Sequence, residues 1–288
     1  MSLIRSNQII LRDGRRLGYG EIGDPEGMPI FYFHGFPGSR LEIALVPPFL
    51  EGYPFRIIAP DRPGYGLSDF KAKRTIGQWP EDVLELAEQL GLERFAVLGL
   101  SGGGPYALAC AWKIPHRITS TAVVCGMGPV EDPATLERMF WLNRFGLILA
   151  GKSSFFSNTL FALATIMIRH FPEKIIAHIL KRVPASDRKV LTKDVQQTLI
   201  HSFREAVRAG FRGPARDVIL YSRPWDFRVE HIEMEVDLFY GEEDPIVPSA
   251  VGRRLEKSIP CCRASFFPQE GHFSLILNQR QEIIERLA

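Results

Sequence analysis

Short apolar runs alternate with amphipathic stretches of helical length along most of this chain, and that alternation is its strongest constraint. The segments "IILR", "RRLGYGEIG", "PIFYFHG", "FRIIAPD", "RFAVLGL" and "ITSTAVVCG" have the length and the β-branched and aromatic content of strands. Glu42 to Leu50, Trp79 to Leu90 and Gly102 to Lys113 space their apolar residues as helices do. From about residue 29 the order is β-α-β-α, which predicts an α/β fold with a mostly parallel sheet and helices on both faces. The strands before it are expected at an antiparallel edge.

The alternation stops after "VVCGMGPVEDP". Pro129 to Pro224 offers several helical stretches and no strand; alternation resumes with "MEVDLFYG", a helix from Ser249 to Ser258, the strand "CRASFF" and a closing helix from Phe273 onward. The simplest organisation is one α/β domain, residues 1–128 and 225–288, interrupted by an all-helical insertion at 129–224. A chain of 288 residues with 45% hydrophobic and 24% charged residues can bury the core this requires.

The charges exclude some partners. A net charge of +2, with acids and bases interspersed, lacks the basic stripe of a nucleic-acid binder. Cys110, Cys125, Cys261 and Cys262 have no metal-ligand spacing, and no metal site is expected. The amino terminus alternates like a strand and has no signal-peptide core, so reduced thiols in a cytoplasmic protein are predicted. "FFSNTLFALATIMI", Phe155 to Ile168, carries no charge but falls short of the roughly 20 apolar residues of a membrane span.

One stretch carries chemistry. In "GLSGGGP", Gly99 to Pro105, a serine sits among four glycines between a buried-strand pattern and a helix. Neither G-x-x-x-x-G-K-[ST] nor G-x-G-x-x-G fits, which removes the phosphate-loop readings. What remains is G-x-S-x-G, a strand-to-helix turn at the carboxyl end of a parallel strand. Glycines there avoid collisions around a strained serine, so Ser101 is expected as an exposed nucleophile. A neutral hydroxyl needs a base and the base an orienting carboxylate. "GEEDPIVP" after one later strand offers Glu242, Glu243 and Asp244, and "EGHF" after the last offers His272.

With "HGFPGS" at 34–39, "DRPGYGLSD" at 61–69, "GLSGGG" at 99–104, "GEEDPIVP" at 241–248 and "GH" at 271–272, the chain resembles the α/β-hydrolase fold superfamily. The resemblance implies Ser101 as nucleophile, Asp244 as orienting acid and His272 as base. It implies the backbone N–H groups of Phe36 and Gly102 as an oxyanion hole, with His34 and Gly35 supporting that loop and Asp61 and Arg62 structural. It also implies that the insertion is a cap. Within its uncharged stretch, core contacts of the cap are one reading, Phe155, Phe156, Phe161 and Met167 lining an apolar acyl or alcohol pocket another, and a homodimer contact a third. Arg204, Arg208, Arg212 and Arg216 recur every four residues and are expected on one solvated helix face.

The function so implied is a cofactor-free serine hydrolase of a small, apolar ester or lactone. A carbon–carbon bond hydrolase or perhydrolase on the same triad, or a small-molecule receptor of the same fold, are the alternatives. Members that use a carboxylate nucleophile, such as haloalkane dehalogenases, are disfavoured by Ser101.

Overall fold

The computed structural model describes residues 4–45, 54–130, 137 and 139–288. Eight strands form one sheet: β1 (Arg5–Ile10), β2 (Arg16–Gly23), β3 (Met28–Phe33), β4 (Phe55–Pro60), β5 (Phe95–Leu100), β6 (Ile118–Val124), β7 (Val236–Gly241) and β8 (Cys262–Phe267). Their order is β1-β2-β4-β3-β5-β6-β7-β8. The first two strands pair antiparallel, β2 also runs antiparallel to β4, and every other pairing is parallel. The antiparallel edge and parallel centre are those the strand order predicts.

Period-two alternation divides the core between the two faces of the sheet. Phe31 and Phe33 of β3 join Phe95 and Val97 of β5 with helices α1 (Trp79–Gln89) and α2 (Gly104–Lys113). Ile30 and Tyr32 join Leu98 and Val124 with helices α10 (His272–Asn278) and α11 (Arg280–Leu287) on the other face. Strands β5 and β7 are buried at every residue, which is why they read as continuous apolar runs. Each large apolar side chain so enclosed contributes about 1.5–3 kcal/mol.

Between β6 and β7 the described residues form helices α3 (Trp141–Lys152), α4 (Ser154–His170), α5 (Pro172–Leu180), α6 (Ala185–Val190), α7 (Lys193–Ala206) and α8 (Arg212–Tyr221), with no strand among them. Residues 131–136 and 138 of the expected insertion lie outside the described residues. Local signals set the helix starts: Ser153 and Thr192 accept from the Phe156 and Val195 amides as N-caps, and Pro172 opens α5 where its missing N–H costs nothing. Ile168, Ile176, Leu199 and Phe203 make a separate small core within these helices. Among the described residues no helix is long and apolar enough to cross a membrane.

Four local expectations change. The segment from Glu42 is a 3-10 helix over Arg40–Leu45, and 46–50 lies outside the described residues. The side chain of Glu42 turns inward to the Tyr32 hydroxyl and the Gly35 amide, which tightens this turn. α2 starts at Gly104, because Ser101–Gly103 form a 3-10 turn first. The closing helix is two helices, α10 and α11, meeting at Gln279. The four arginines do not form one face: Arg204 is on α7, Arg208 lies in the turn after it, and Arg212 and Arg216 are on α8, where Arg216 donates to the Arg74 carbonyl.

Candidate active site

Ser101 stands where β5 ends, with a backbone φ of +52°. That left-handed conformation costs a non-glycine residue about 1–3 kcal/mol, and it is held because the surroundings admit no alternative. A Cβ on Gly103 would lie 2.0 Å from the Phe33 carbonyl oxygen, and one on Gly102 would lie 2.8 Å from both Phe36 Cβ and the Tyr221 hydroxyl. The glycines therefore let the turn pack against β3 and the loop after it.

Asp244 and His272 follow β7 and β8, so with Ser101 they share the carboxyl edge of the parallel sheet. The His272 Nδ1 lies 2.6 Å from Asp244 Oδ2, and both side chains are buried. Asp244 Oδ1 accepts from the Ile246 and Val247 amides at 2.7 and 2.9 Å, which fixes the carboxylate plane. The neighbouring acids do other work: Glu242 accepts from Ser249 and Arg253, and Glu243 is exposed. Burial works to lower the His272 pKa, but the charge and hydrogen bond of Asp244, helped by Asp187 and Glu42, raise it above its ordinary value.

The loop after β3 carries His34, Gly35 and Phe36, and the packing noted at Gly102 puts Phe36 beside it. His34 Nδ1 contacts the Gly35 carbonyl at 2.9 Å, while burial and the adjacent Arg62 hold its pKa well below the usual value and keep it neutral. Asp61 accepts from the Arg40 and Leu67 amides and from the Arg40 guanidinium. Glu42, which sequence reasoning passed over, accepts the Gly35 amide at 2.9 Å and the Tyr32 hydroxyl at 2.7 Å.

Two further acids come from the helices between β6 and β7. Asp217 on α8 is fully buried; its Oδ2 accepts from Arg62 Nε at 2.7 Å and Tyr65 at 2.7 Å, and its Oδ1 from Tyr106 at 2.6 Å and from Arg74. Arg62 also donates to the His34 and Gly35 carbonyls. The Tyr221 hydroxyl reaches the Gly102 carbonyl at 2.8 Å and Asp217 Oδ2 at 3.1 Å. One carboxylate thus braces the residues on either side of the Phe36–Gly102 contact. Asp187 on α6 accepts from the amides of His272, Phe273 and Ser274 at 3.1, 3.0 and 2.8 Å, and so caps α10 at the residue that bears the imidazole. Asp217 and Tyr221, four residues apart on one helix face, left a faint sequence signal; Asp187 in "PASDRKV" left none.

The expected acyl-pocket residues separate. Phe161 faces inward, its ring 5.6 Å from that of Phe36. Phe155, Phe156 and Met167 lie on the outward side of α4 and are 79, 38 and 40% exposed. The 3.6-residue period gives the inward face of α4 to Ser157, Phe161, Thr165 and Ile168, which turns those three outward.

Cys125, Asp244 and His272 also have donor atoms within 4.8 Å of one another. In that cluster the imidazole Nδ1 and the carboxylate are already engaged with each other, and burial pushes the Cys125 thiol well above its ordinary pKa.

A family model described as the alpha/beta hydrolase fold matches residues 28–279. Over 294 aligned residues the chain is 26% identical to an uncharacterized hydrolase of Saccharomyces cerevisiae, covering 99% of this chain and 98% of that one. It is 26% identical over 277 residues to a 2-hydroxymuconate semialdehyde hydrolase of Pseudomonas putida, covering 93% and 88%. A solved esterase of Exiguobacterium antarcticum superposes with a TM-score of 0.68 at 19% identity, covering 98% of this chain and 97% of that one. With the family match spanning most of the sequence and the eight-stranded, mostly parallel sheet underneath it, the chain belongs to the α/β-hydrolase fold family.

Proposed function

We propose that this protein is a serine hydrolase that cleaves a carboxylic ester or lactone through an acyl-enzyme, with Ser101, His272 and Asp244 as its triad. The observation that carries the reading is the buried 2.6 Å contact of His272 Nδ1 with Asp244, at the sheet edge where Ser101 is held at φ +52°. Asp244 accepts a hydrogen bond from the Nδ1–H group, which leaves Nε2 as the base. Ser101 Oγ attacks the carbonyl carbon as His272 takes its proton. The same proton returns to the leaving alcohol, and a water activated by the imidazole then releases the acid.

The amides of Phe36 and Gly102 are the donors assigned to the tetrahedral oxyanion, each worth roughly 3–4 kcal/mol of transition-state stabilisation. The helices between β6 and β7 act as the cap in this reading, with Phe161 as the apolar wall beside Phe36.

The test is steady-state hydrolysis of p-nitrophenyl esters from acetate to decanoate by the wild type and by Ser101→Ala. Repeated turnover by the wild type and none by a folded Ser101→Ala variant is expected. Equal activity in both would sink the triad assignment. The 26% identity to a 2-hydroxymuconate semialdehyde hydrolase over 93% of the chain supports a second reading, carbon–carbon bond hydrolysis on the same triad. Turnover of a vinylogous 1,5-diketone but of no ester would select it.

A further inference from the structure

From Ser154 to Ile168 helix α4 has no charged side chain, and a helix so rich in apolar residues has more apolar surface than one buried face needs. Only half of it is inside. Its inward face carries Ser157, whose hydroxyl bonds to the Ala215 carbonyl of α8, and Phe161 against Phe36. Its outward face carries Phe155, Leu160, Leu163 and Ile166, which are 79, 39, 59 and 53% exposed.

α3 is joined to α4 through Ser153, and both pack on α8. Trp141, Phe145 and Ile148, spaced i, i+4, i+7, are 67, 54 and 45% exposed. Among the described residues eleven large apolar side chains are exposed, and ten of them fall between Trp141 and Phe171. Apolar side chains scattered singly over a surface need no explanation, but a concentration on two adjoining helices marks an interaction surface.

The charge around the patch identifies the occupant. Residues 139–182 hold six basic side chains, Arg144, Lys152, Arg169, Lys174, Lys181 and Arg182, against the single acid Glu173, a local +5 in a chain whose total is +2; of the six, Arg169 is turned onto the Val207 and Arg208 carbonyls. Lys152 continues the outward spacing of Trp141, Phe145 and Ile148. The Lys174 ammonium and Arg182 guanidinium lie 4.8 and 4.7 Å from the rings of Phe171 and Phe140, which places cations at the border of the apolar surface. A second copy is the poorer match, because a two-fold dimer through this face would stack one +5 segment on another.

We propose that α3 and α4 dock this protein on an anionic lipid surface, their outward faces at the acyl boundary and the surrounding Lys and Arg side chains among the head groups. The helices lie in the interface and do not cross it, since α4 has 17 residues.

Co-sedimentation with vesicles of mixed phosphatidylglycerol and phosphatidylcholine, against phosphatidylcholine alone, tests this without reference to catalysis. The wild type is expected to pellet with the mixed vesicles and to be released by salt. Leu163→Ser with Ile166→Ser should lower partition by more than about tenfold at an unchanged melting temperature. Lys152→Glu with Lys174→Glu leaves the apolar packing alone and should also release the protein.

Three results overturn the proposal. One is no partition onto either vesicle, and another is equal partition onto phosphatidylcholine alone. The third is a dimer in solution that Leu163→Ser and Ile166→Ser dissociate, with no vesicle binding.

Discussion

Asp217 and Asp187 are both buried, both come from the helices between β6 and β7, and both hold the candidate site, yet their chemistry is opposite. Asp217 sits on the nucleophile side among two arginines and three tyrosines. Burial works to raise its pKa, but the Arg74 and Arg62 charges win and hold it below the ordinary carboxylate range. Asp187 sits on the base side and faces backbone amides and an imidazole. There burial wins, and its pKa rises in spite of the Ser274 and His272 contacts. The difference teaches that two guanidinium charges outweigh burial at Asp217, whereas the amides, hydroxyl and imidazole around Asp187 do not.

The largest expected effect breaks the Asp217 side. Asp217→Asn leaves Arg62 and Arg74 enclosed without a counter-charge, and removing one partner of such a group costs about 3–5 kcal/mol. Denaturant titration at neutral pH measures it; a loss below 1 kcal/mol would refute the network's role. The pH dependence sharpens the result. Because the folded pKa of Asp217 is depressed, its stabilisation is present above the ordinary value of 3.8 and is lost as pH falls through the lower folded value. The wild type should lose that component on acidification, and Asp217→Asn should lack it.

Next in size is Tyr221→Phe, which deletes the hydroxyl that reaches the Gly102 carbonyl and Asp217. A loss of about 0.5–1.5 kcal/mol in stability is expected, with kcat lowered by up to about tenfold and KM unchanged. A changed KM with normal kcat would place Tyr221 in substrate binding instead.

Asp187→Asn is expected to be the mildest. The Asn oxygen can still accept from the Phe273 and Ser274 amides while its NH2 no longer accepts from the His272 amide, so a loss of about 1 kcal/mol, that of one hydrogen bond, is expected. The effect should appear in the pH profile. If His272 is the base, wild-type activity is expected to rise with pH as the imidazole loses its proton, on a limb above the ordinary histidine value of 6.5. Removing the Asp187 charge removes one support of the imidazolium, so that limb should move to lower pH. An unmoved limb would make Asp187 a cap and nothing more. Equal stability losses in Asp217→Asn and Asp187→Asn would break the comparison itself.

Much of the fold was legible because its signals are local. Buried parallel strands read as apolar runs, and amphipathic periods mark α1, α2 and α9 (Ser249–Ser258). The elbow at Ser101 was legible for the same reason: its glycines answer collisions with Phe33, Phe36 and Ala107 that a Cβ would create. The outward turn of Phe155, Phe156 and Met167 was not legible, since α4 from Ser154 to Ile168 has no charged side chain to mark its outer face.

By itself the sequence determined the alternating α/β order, the interruption by helices, and the positions of Ser101, Asp244 and His272, because strand periodicity, glycine sterics and chain order are written residue by residue. Only the tertiary structure decided that Glu42 holds the Gly35 amide, that Arg62 and Arg74 converge on Asp217 from residues about 150 positions away, and that Asp187 caps the helix of His272. A charge in a sequence has no partner until folding removes the water around it. Which carboxylate then faces guanidinium, amide or imidazole depends on packing between distant segments, and no local pattern records it.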